Sequence, residues 1–380
     1  MQAASHDPYR PSAMNVPQLD PEDLTETTGP VHVFAYVDRY PPWVNAGAEW
    51  MLHSMFRRLV DAGHRVSVVC PIPDHVHPKF PEIVDGVYVY DDNAGSDVAE
   101  EIAANADVMV GQLLYTRFQV ALAAKLRKPL IYVLHNDSQI AHWHLTANNV
   151  TLLVPNSYWI DDTLRGRWPG PRDVCRPPVF CDDYTVESDE ARRFVTLVNL
   201  IPEKGVETFY ELARVRYRDR FLGVTGAYGH QHRPPRGREN VTIIPPTAHI
   251  RDDVYAKTRV LLMPSWYESW GRAAVEAMAA GCPVIAGPTP GLREALGDAV
   301  QFVDPSDLSG WVAALRRLDD PIEWRLWQAR GRERAAELER LTDGDLTEFE
   351  RWVRRCAAIP TEGPERPLEG SRTAGSGSGG

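Results

Sequence analysis

Two glutamates with seven residues between them bracket a glycine in "SWYESWGRAAVEAMAAGCPVIA", residues 265–286. Carboxylates accept hydrogen bonds from hydroxyls, and adjacent hydroxyl pairs suit a bidentate acceptor. The run "RVLLMPS" (259–265) reads as a strand, and the alanine-rich stretch after Gly271 reads as a helix. This pattern predicts Glu268 on the strand-to-helix turn and Glu276 further along the same helix. The backbone N–H groups of Trp270, Gly271 and Arg272 would have no intrahelical acceptor, which makes the helix start an anion site. Gly271 has no Cβ, so an anion can approach closely. Glutamates near a helix start also favour the macrodipole and are often only solvated. The strand before, the turn glycine and "GCPVIAG" after them weigh toward a site.

The elements that must position these groups alternate along the chain. "VHVFAYV" (31–37), "RVSVVC" (65–70), "ADVMVGQ" (106–112), "PLIYVLH" (129–135) and "TLLVPNS" (151–157) predict strands. A helix is predicted over 46–63, with Trp50, Met51, Met55 and Leu59 on its apolar side. The pattern restarts with strands at 193–200, 220–226, 240–246, 259–265 and 282–287, and a helix at 203–215. Strands alternating with helices imply parallel sheets covered on both faces. The expected fold is α/β, with two doubly wound, Rossmann-like domains facing a cleft, at residues 30–180 and 190–340. The proline-rich segment 176–191 is the expected join. A helix over 345–357 carries Leu346, Phe349, Trp352, Val353 and Cys356 at helical spacing and is expected to pack back on the body. Residues 1–29 and 358–380 read as disordered tails.

Composition bounds the function. The 380 residues are 43% hydrophobic and 24% charged, as in a soluble globular protein. A net charge of -11 argues against a nucleic-acid partner. No run reaches the ~18 apolar residues of a membrane span, and no signal-peptide core stands at the N-terminus. The five cysteines form no metal-like CxxC pair and are expected to be reduced thiols of a cytoplasmic protein.

"ESWGRAAVEAMAAGCPVIAGPTPGLREAL" resembles the E-x7-E segment of retaining glycosyltransferases of family 4, which have the GT-B fold. "LIPEKGVETFYELA" (200–213), "NAGAEWMLHSMFRRLVDAGHRVSVV" (45–69), "VPNSYW" (154–159) and His135 in "YVLHNDS" resemble other parts of that family, in order. The resemblance implies sugar transfer with retention from a nucleotide-sugar donor to a hydroxyl acceptor; the donor, UDP-, GDP- or ADP-linked, and the acceptor, glycan, protein or small molecule, stay open. It implies Glu268 on the donor sugar, Glu276 on the ribose, Lys204 on the diphosphate, His135 beside the reacting sugar, and loop amides around Gly47 near phosphate or acceptor. No cofactor and no metal are expected.

One position departs from the family pattern. Asn199 stands where an arginine is usual, and an amide supplies no charged fork; Arg272 is expected to compensate. His142 and His144 in "AHWHL" make only a partial ligand set. "HRPPRGR" (232–238) reads as a solvated basic loop. "DGD" (343–345) reads as helix capping, and Glu294 as a helix-start residue of the donor domain. Two alternatives come from other classes: a non-catalytic sugar-nucleotide-binding module, motivated by Asn199, and a nucleotide-dependent oxidoreductase, for which the first strand lacks a following GxGxxG.

Overall fold

The computed structural model describes residues 15–20, 25–72, 81–92, 96–138, 145–227 and 229–360. The first half builds a seven-stranded sheet from β1 (His32–Tyr36), β2 (Arg65–Cys70), β3 (Glu82–Val84), β4 (Val87–Asp91), β5 (Val108–Gln112), β6 (Leu130–Leu134) and β7 (Leu152–Pro155). Their order is β3-β4-β2-β1-β5-β6-β7. All neighbours are parallel except β3, which runs antiparallel to β4. The second half builds a six-stranded parallel sheet from β8 (Phe194–Val198), β9 (Arg220–Val224), β10 (Val241–Ile244), β11 (Thr258–Met263), β12 (Val284–Ala286) and β13 (Gln301–Phe302), in the order β10-β9-β8-β11-β12-β13.

The strand sequences explain this arrangement. β5, β6 and β7 are buried at every position, as parallel strands covered on both faces must be. Successive side chains leave on opposite faces. In β1, Val33 and Ala35 therefore join one core while Phe34 and Tyr36 join another. In β11, Leu261 and Met263 face one core and Val260 and Leu262 the other. The strand order reverses beside β1 in the first sheet and between β8 and β11 in the second. In such sheets ligands collect at the carboxyl ends of the strands flanking the reversal.

Three helices position the site. Helix α1 (Gly47–Asp61) buries Met51, Leu52, Met55, Phe56 and Leu59 against the first sheet, while Trp50 stays half-buried at its start. Helix α2 (Val206–Val215) buries Val206, Phe209, Leu212 and Ala213. Helix α3 (Arg272–Ala279) is the alanine-rich helix. Its small side chains seat it deep in the second domain, with Ala274 and Ala277 fully buried.

The C-terminal helix corrects the expectation of a short element at 345–357. Helix α4 (Pro321–Ala358) is continuous over 38 residues, ~57 Å at 1.5 Å per residue. Asp320 caps it by accepting from the Ile322 N–H at 2.8 Å, with Pro321 in the first turn. Its first half packs Ala335 and Leu338 into the second domain, and its last turns pack Leu346, Phe349, Val353 and Cys356 into the first. The segment "DGD" is therefore helix interior and caps nothing. Asp345 receives a bidentate pair from Arg176, with Nε to Oδ2 at 2.6 Å and a second bond of 2.8 Å to Oδ1, and Asp343 pairs with Arg58 at 3.1 Å.

The expected N-terminal tail is also revised where it is described. Val16 and Leu19 are buried in the first domain. The Val16 N–H donates to the Asn148 carbonyl, and the Thr27 N–H to the Arg354 carbonyl. Two buried apolar residues and these backbone bonds hold the described part of the segment on the body. All five cysteines are free thiols. Among the described residues no helix is long and apolar enough to cross a membrane.

Candidate functional site

The turn between β11 and α3 is held by its backbone. Gly271 has φ +92°, which L side chains rarely adopt, and a Cβ there would collide with Leu292. Trp270 is only 2% exposed and packs into the second-domain core. Its indole thus anchors the turn, and only its backbone remains for the helix mouth. Gly205, at φ +77°, lets the Pro202–Lys204 turn settle against the Pro264 carbonyl, where a Cβ would clash. The Trp266 N–H closes the contact by donating to the Glu203 carbonyl at 3.0 Å.

That packing brings Lys204 to Glu268. Lys204 Nζ donates to Glu268 Oε1 at 2.5 Å, and Ser265 Oγ donates to the same oxygen at 3.1 Å. Glu268 is 9% exposed and lines a cavity of about 730 Å³ between the two domains. Lys204 keeps N–H donors beyond the one spent on Glu268.

Glu276, one turn inside α3, is more heavily engaged. Oε1 accepts from Arg272 Nε at 2.8 Å and from the Tyr184 hydroxyl at 3.1 Å, and Oε2 accepts from the Tyr255 hydroxyl at 2.8 Å. Burial first, and the Glu276 carboxylate second, push both tyrosines' pKa values up, so they act as hydroxyl donors. The Arg272 guanidinium also bonds the Pro178 carbonyl and the Tyr184 oxygen. This corrects the expectation that its charge faces the helix mouth: it is turned back to orient Glu276. Of the two cations lining the cavity among the described residues, Arg272 is spent on Glu276 and Lys204 on Glu268.

Asn199 follows β8 at φ +71°, a conformation asparagine tolerates better than most residues. Its Oδ1 accepts from Gln231 Nε2 at 2.9 Å, and Gln231 Oε1 in turn accepts from the Leu200 and Gly226 N–H groups. The amide is therefore the centre of a loop-fixing network that also borders the cavity.

The first domain supplies the facing wall. His135, just past β6, lines the cavity. Burial pushes its pKa down to about 3, so the ring is neutral near pH 7. Its Nε2 lies 2.8 Å from Gln112 Oε1. That oxygen only accepts, so Nε2 carries the proton and Nδ1 is left as an acceptor. Gly47 opens α1 against the other domain; a Cβ there would stand 3.8 Å from Arg272 Cβ. The cavity thus gathers Glu268, Glu276, Lys204, Asn199, Gly271, Arg272, His135 and Gly47, and leaves out the Trp270 side chain.

Several bonds tie the walls together. Asn156 Nδ2 donates to Ser269 Oγ at 2.9 Å, and the Tyr267 hydroxyl donates to Asp137 Oδ1 at 3.1 Å. Glu294, expected to line the donor domain, instead reaches across to accept from the Tyr158 and Trp159 N–H groups at 2.9 and 2.8 Å. Sequence reasoning missed Asp38, Gln112, Tyr184 and Tyr255. The first two follow or end buried strands with a polar residue, a signal that was readable. The tyrosines gave none, because Tyr184 lies in the join and Tyr255 reads as core. His142 and His144 lie outside the described residues. Among the described residues no group of three or more His, Cys, Asp or Glu is placed to hold a metal.

Residues 191–320 match the family model of glycosyl transferases group 1. The D-inositol 3-phosphate glycosyltransferase of Rhodococcus opacus is 30% identical over 203 residues, 48% of this chain and 43% of that protein. The MMP alpha-(1->4)-mannosyltransferase of Mycolicibacterium hassiacum is 34% identical over 110 residues, 27% of each. The chain thus spans less than half the length of these curated relatives. Among solved structures, sucrose-phosphate synthase from Thermosynechococcus elongatus superposes with a TM-score of 0.68 at 18% identity, covering 86% of this chain and 98% of that one. Anabaena Alr3699/HepE, in complex with UDP and glucose, superposes with a TM-score of 0.66 at 15% identity, covering 84% and 99%. The chain has the GT-B fold. Neither the binding-module nor the oxidoreductase alternative is favoured by these likenesses.

Proposed function

From a GT-B chain whose residues 191–320 match the group 1 glycosyl transferases, we propose a retaining, metal-independent glycosyltransferase that moves a sugar from a nucleotide-sugar donor to a hydroxyl acceptor. The observation that carries this reading is the placement of Lys204 and Glu268 side by side at the start of α3, on the wall of the interdomain cavity. The UDP and glucose held by Alr3699/HepE support a nucleotide-linked donor.

In this reading the diphosphate sits at the start of α3, where backbone N–H groups and the Lys204 ammonium meet its charge. Glu268 spends Oε1 on Lys204 and Ser265, and Oε2 accepts from a hydroxyl of the donor sugar. Glu276, pre-oriented by Arg272, Tyr184 and Tyr255, offers its remaining acceptor capacity to the ribose. Glu268 is engaged by Lys204 and Ser265 and is assigned to binding, not attack, so the scheme uses departure on the front face. The bond from the anomeric carbon to the phosphate oxygen breaks, its electron pair goes to the phosphate, and the acceptor oxygen bonds to the same face. The acceptor proton passes to the leaving phosphate oxygen. Neutral His135 donates no proton in this scheme; its ring orders the sugar-side wall through Gln112.

The test is nucleoside diphosphate release from UDP-, GDP- and ADP-sugars, with products read by mass spectrometry. Release with transfer to an added hydroxyl compound and a retained anomeric configuration is expected. Donor binding without release, with every acceptor tried, would overturn the proposal.

A further inference from the structure

Asp38 follows β1, whose carboxyl end flanks the reversal of strand order in the first sheet. The residue lines the interdomain cavity on the wall opposite Lys204. Its side chain is only 8% exposed, and Oδ1 is buried with no hydrogen-bond partner among the described residues. Arg39 forms an ion pair with the other oxygen, Nε standing 3.6 Å from Oδ2, and the distance is too long for a direct hydrogen bond. The Arg39 guanidinium is also drawn to the other domain, where it donates to the Ala227 carbonyl at 2.8 Å.

An unpaired buried carboxylate oxygen is costly unless something supplies a donor. Burial outweighs the hydrogen bond from the residue's own backbone N–H and the nearby guanidinium, and pushes the Asp38 pKa up. Within the cavity Glu268 pairs with Lys204, and Glu276 with Arg272. On the first-domain wall no lysine or arginine lines the cavity among the described residues. The wall therefore favours a ligand that brings hydrogen-bond donors and repels one that brings negative charge.

We infer that Asp38 is an acceptor-specificity residue, which takes a hydrogen bond from a hydroxyl or ammonium group of the acceptor and selects against phosphorylated acceptors. This rests on the glycosyltransferase reading above and adds the acceptor's chemical class to it. A ligand donor at the exposed edge of the carboxylate adds a partner from the cavity side. A phosphate at the same place would set two anions together in a site of low polarity.

Glucose, glucosamine and glucose 6-phosphate share one ring and differ in the group they present. Each is titrated into the full chain saturated with whichever of UDP, GDP and ADP binds most tightly, and binding is read by saturation-transfer NMR. Glucose or glucosamine is expected to bind at least about tenfold more tightly than glucose 6-phosphate, and Asp38→Ala to shrink that preference to about twofold. Asp38→Asn keeps the shape of the side chain and guards against a misfolded alanine variant. It should lose the preference over phosphate as well, with glucosamine weakened most if the natural contact is an ammonium group and glucose weakened equally if it is a hydroxyl. Equal binding of glucose 6-phosphate by the wild type, an unchanged preference in both variants, or no binding of any sugar overturns the assignment. Failure of the wild type to bind any of the three nucleotides is a separate result: it overturns the donor reading, and this assignment falls with it.

Discussion

Lys204 Nζ and Glu268 Oε1 lie 2.5 Å apart, although 64 residues separate them in sequence. The contact joins the turn after β8 to the turn after β11, the two strands between which the order of the second sheet reverses. One ion pair thus joins the group proposed for the diphosphate to the group proposed for the donor sugar.

Lys204→Ala is expected to cut turnover by ~10²–10³-fold, the loss typical of removing one donor to a developing oxyanion. It also strands Glu268. Glu268→Gln in the same background should recover melting temperature and leave turnover low. Recovery of turnover along with stability would show that the lysine only neutralises the glutamate.

Tyr255→Phe removes the hydrogen bond to Glu276 Oε2 without opening a cavity. A bond to a charged group contributes ~1.5–3 kcal/mol, so the melting temperature should fall and nucleoside diphosphate affinity should weaken. Glu276→Ala should be worse on both counts, because it also leaves the Arg272 guanidinium buried and unpaired, a loss of ~3–5 kcal/mol. Denaturant unfolding and calorimetry check the two effects separately. Unchanged nucleotide affinity in a folded Tyr255→Phe variant would remove Glu276 from the ribose.

His135 gives a pH dependence with a definite sign. Its pKa is lowered from the ordinary histidine value of 6.5 to about 3, so the unfolded chain binds this proton more readily than the folded one. Its neutral form contributes full stability above pH 6.5, and that contribution is lost as pH falls toward 3. The stability difference between wild type and His135→Asn should therefore narrow over that window. A constant difference from pH 7 to pH 4 would mean the ring is solvated.

Turnover should persist in excess chelator, because Lys204 and the helix start are proposed to meet the diphosphate charge. Loss of activity on chelation, restored by magnesium or manganese, would contradict this.

The strand pattern was legible because parallel strands buried on both faces read as apolar runs, and the observed strands fall within one or two residues of most of them. β3, β4 and β13 were missed: β3 and β13 are short, and β4 alternates buried with half-buried residues, so none carries such a run. Helix α4 was read too short because its first half is charged, with small or scattered buried residues such as Gly331 and Ala335. The site was legible where backbone geometry demands a residue type, as at Gly271. It was not legible where side chains pair across distant segments. Arg272 looked like a phosphate ligand from its place at the helix start, and only the fold shows Pro178, Tyr184 and Glu276 surrounding its guanidinium.

Helix α4 has a mechanical consequence. The chain passes between the domains at the 176–191 join, and α4 crosses back between Leu338 and Leu346, so two covalent crossings connect the lobes. Two such crossings define a line, and opening of the cleft is then a swing about that line rather than a separation or a free twist. The strain of that swing falls on the stretch of α4 between its two anchored halves. Gly344 lies in that stretch with open space where a side chain would be, and the weak helix preference of glycine makes it the natural flexure of an otherwise stiff rod. The salt links of Arg58 to Asp343 and Arg176 to Asp345 flank this point.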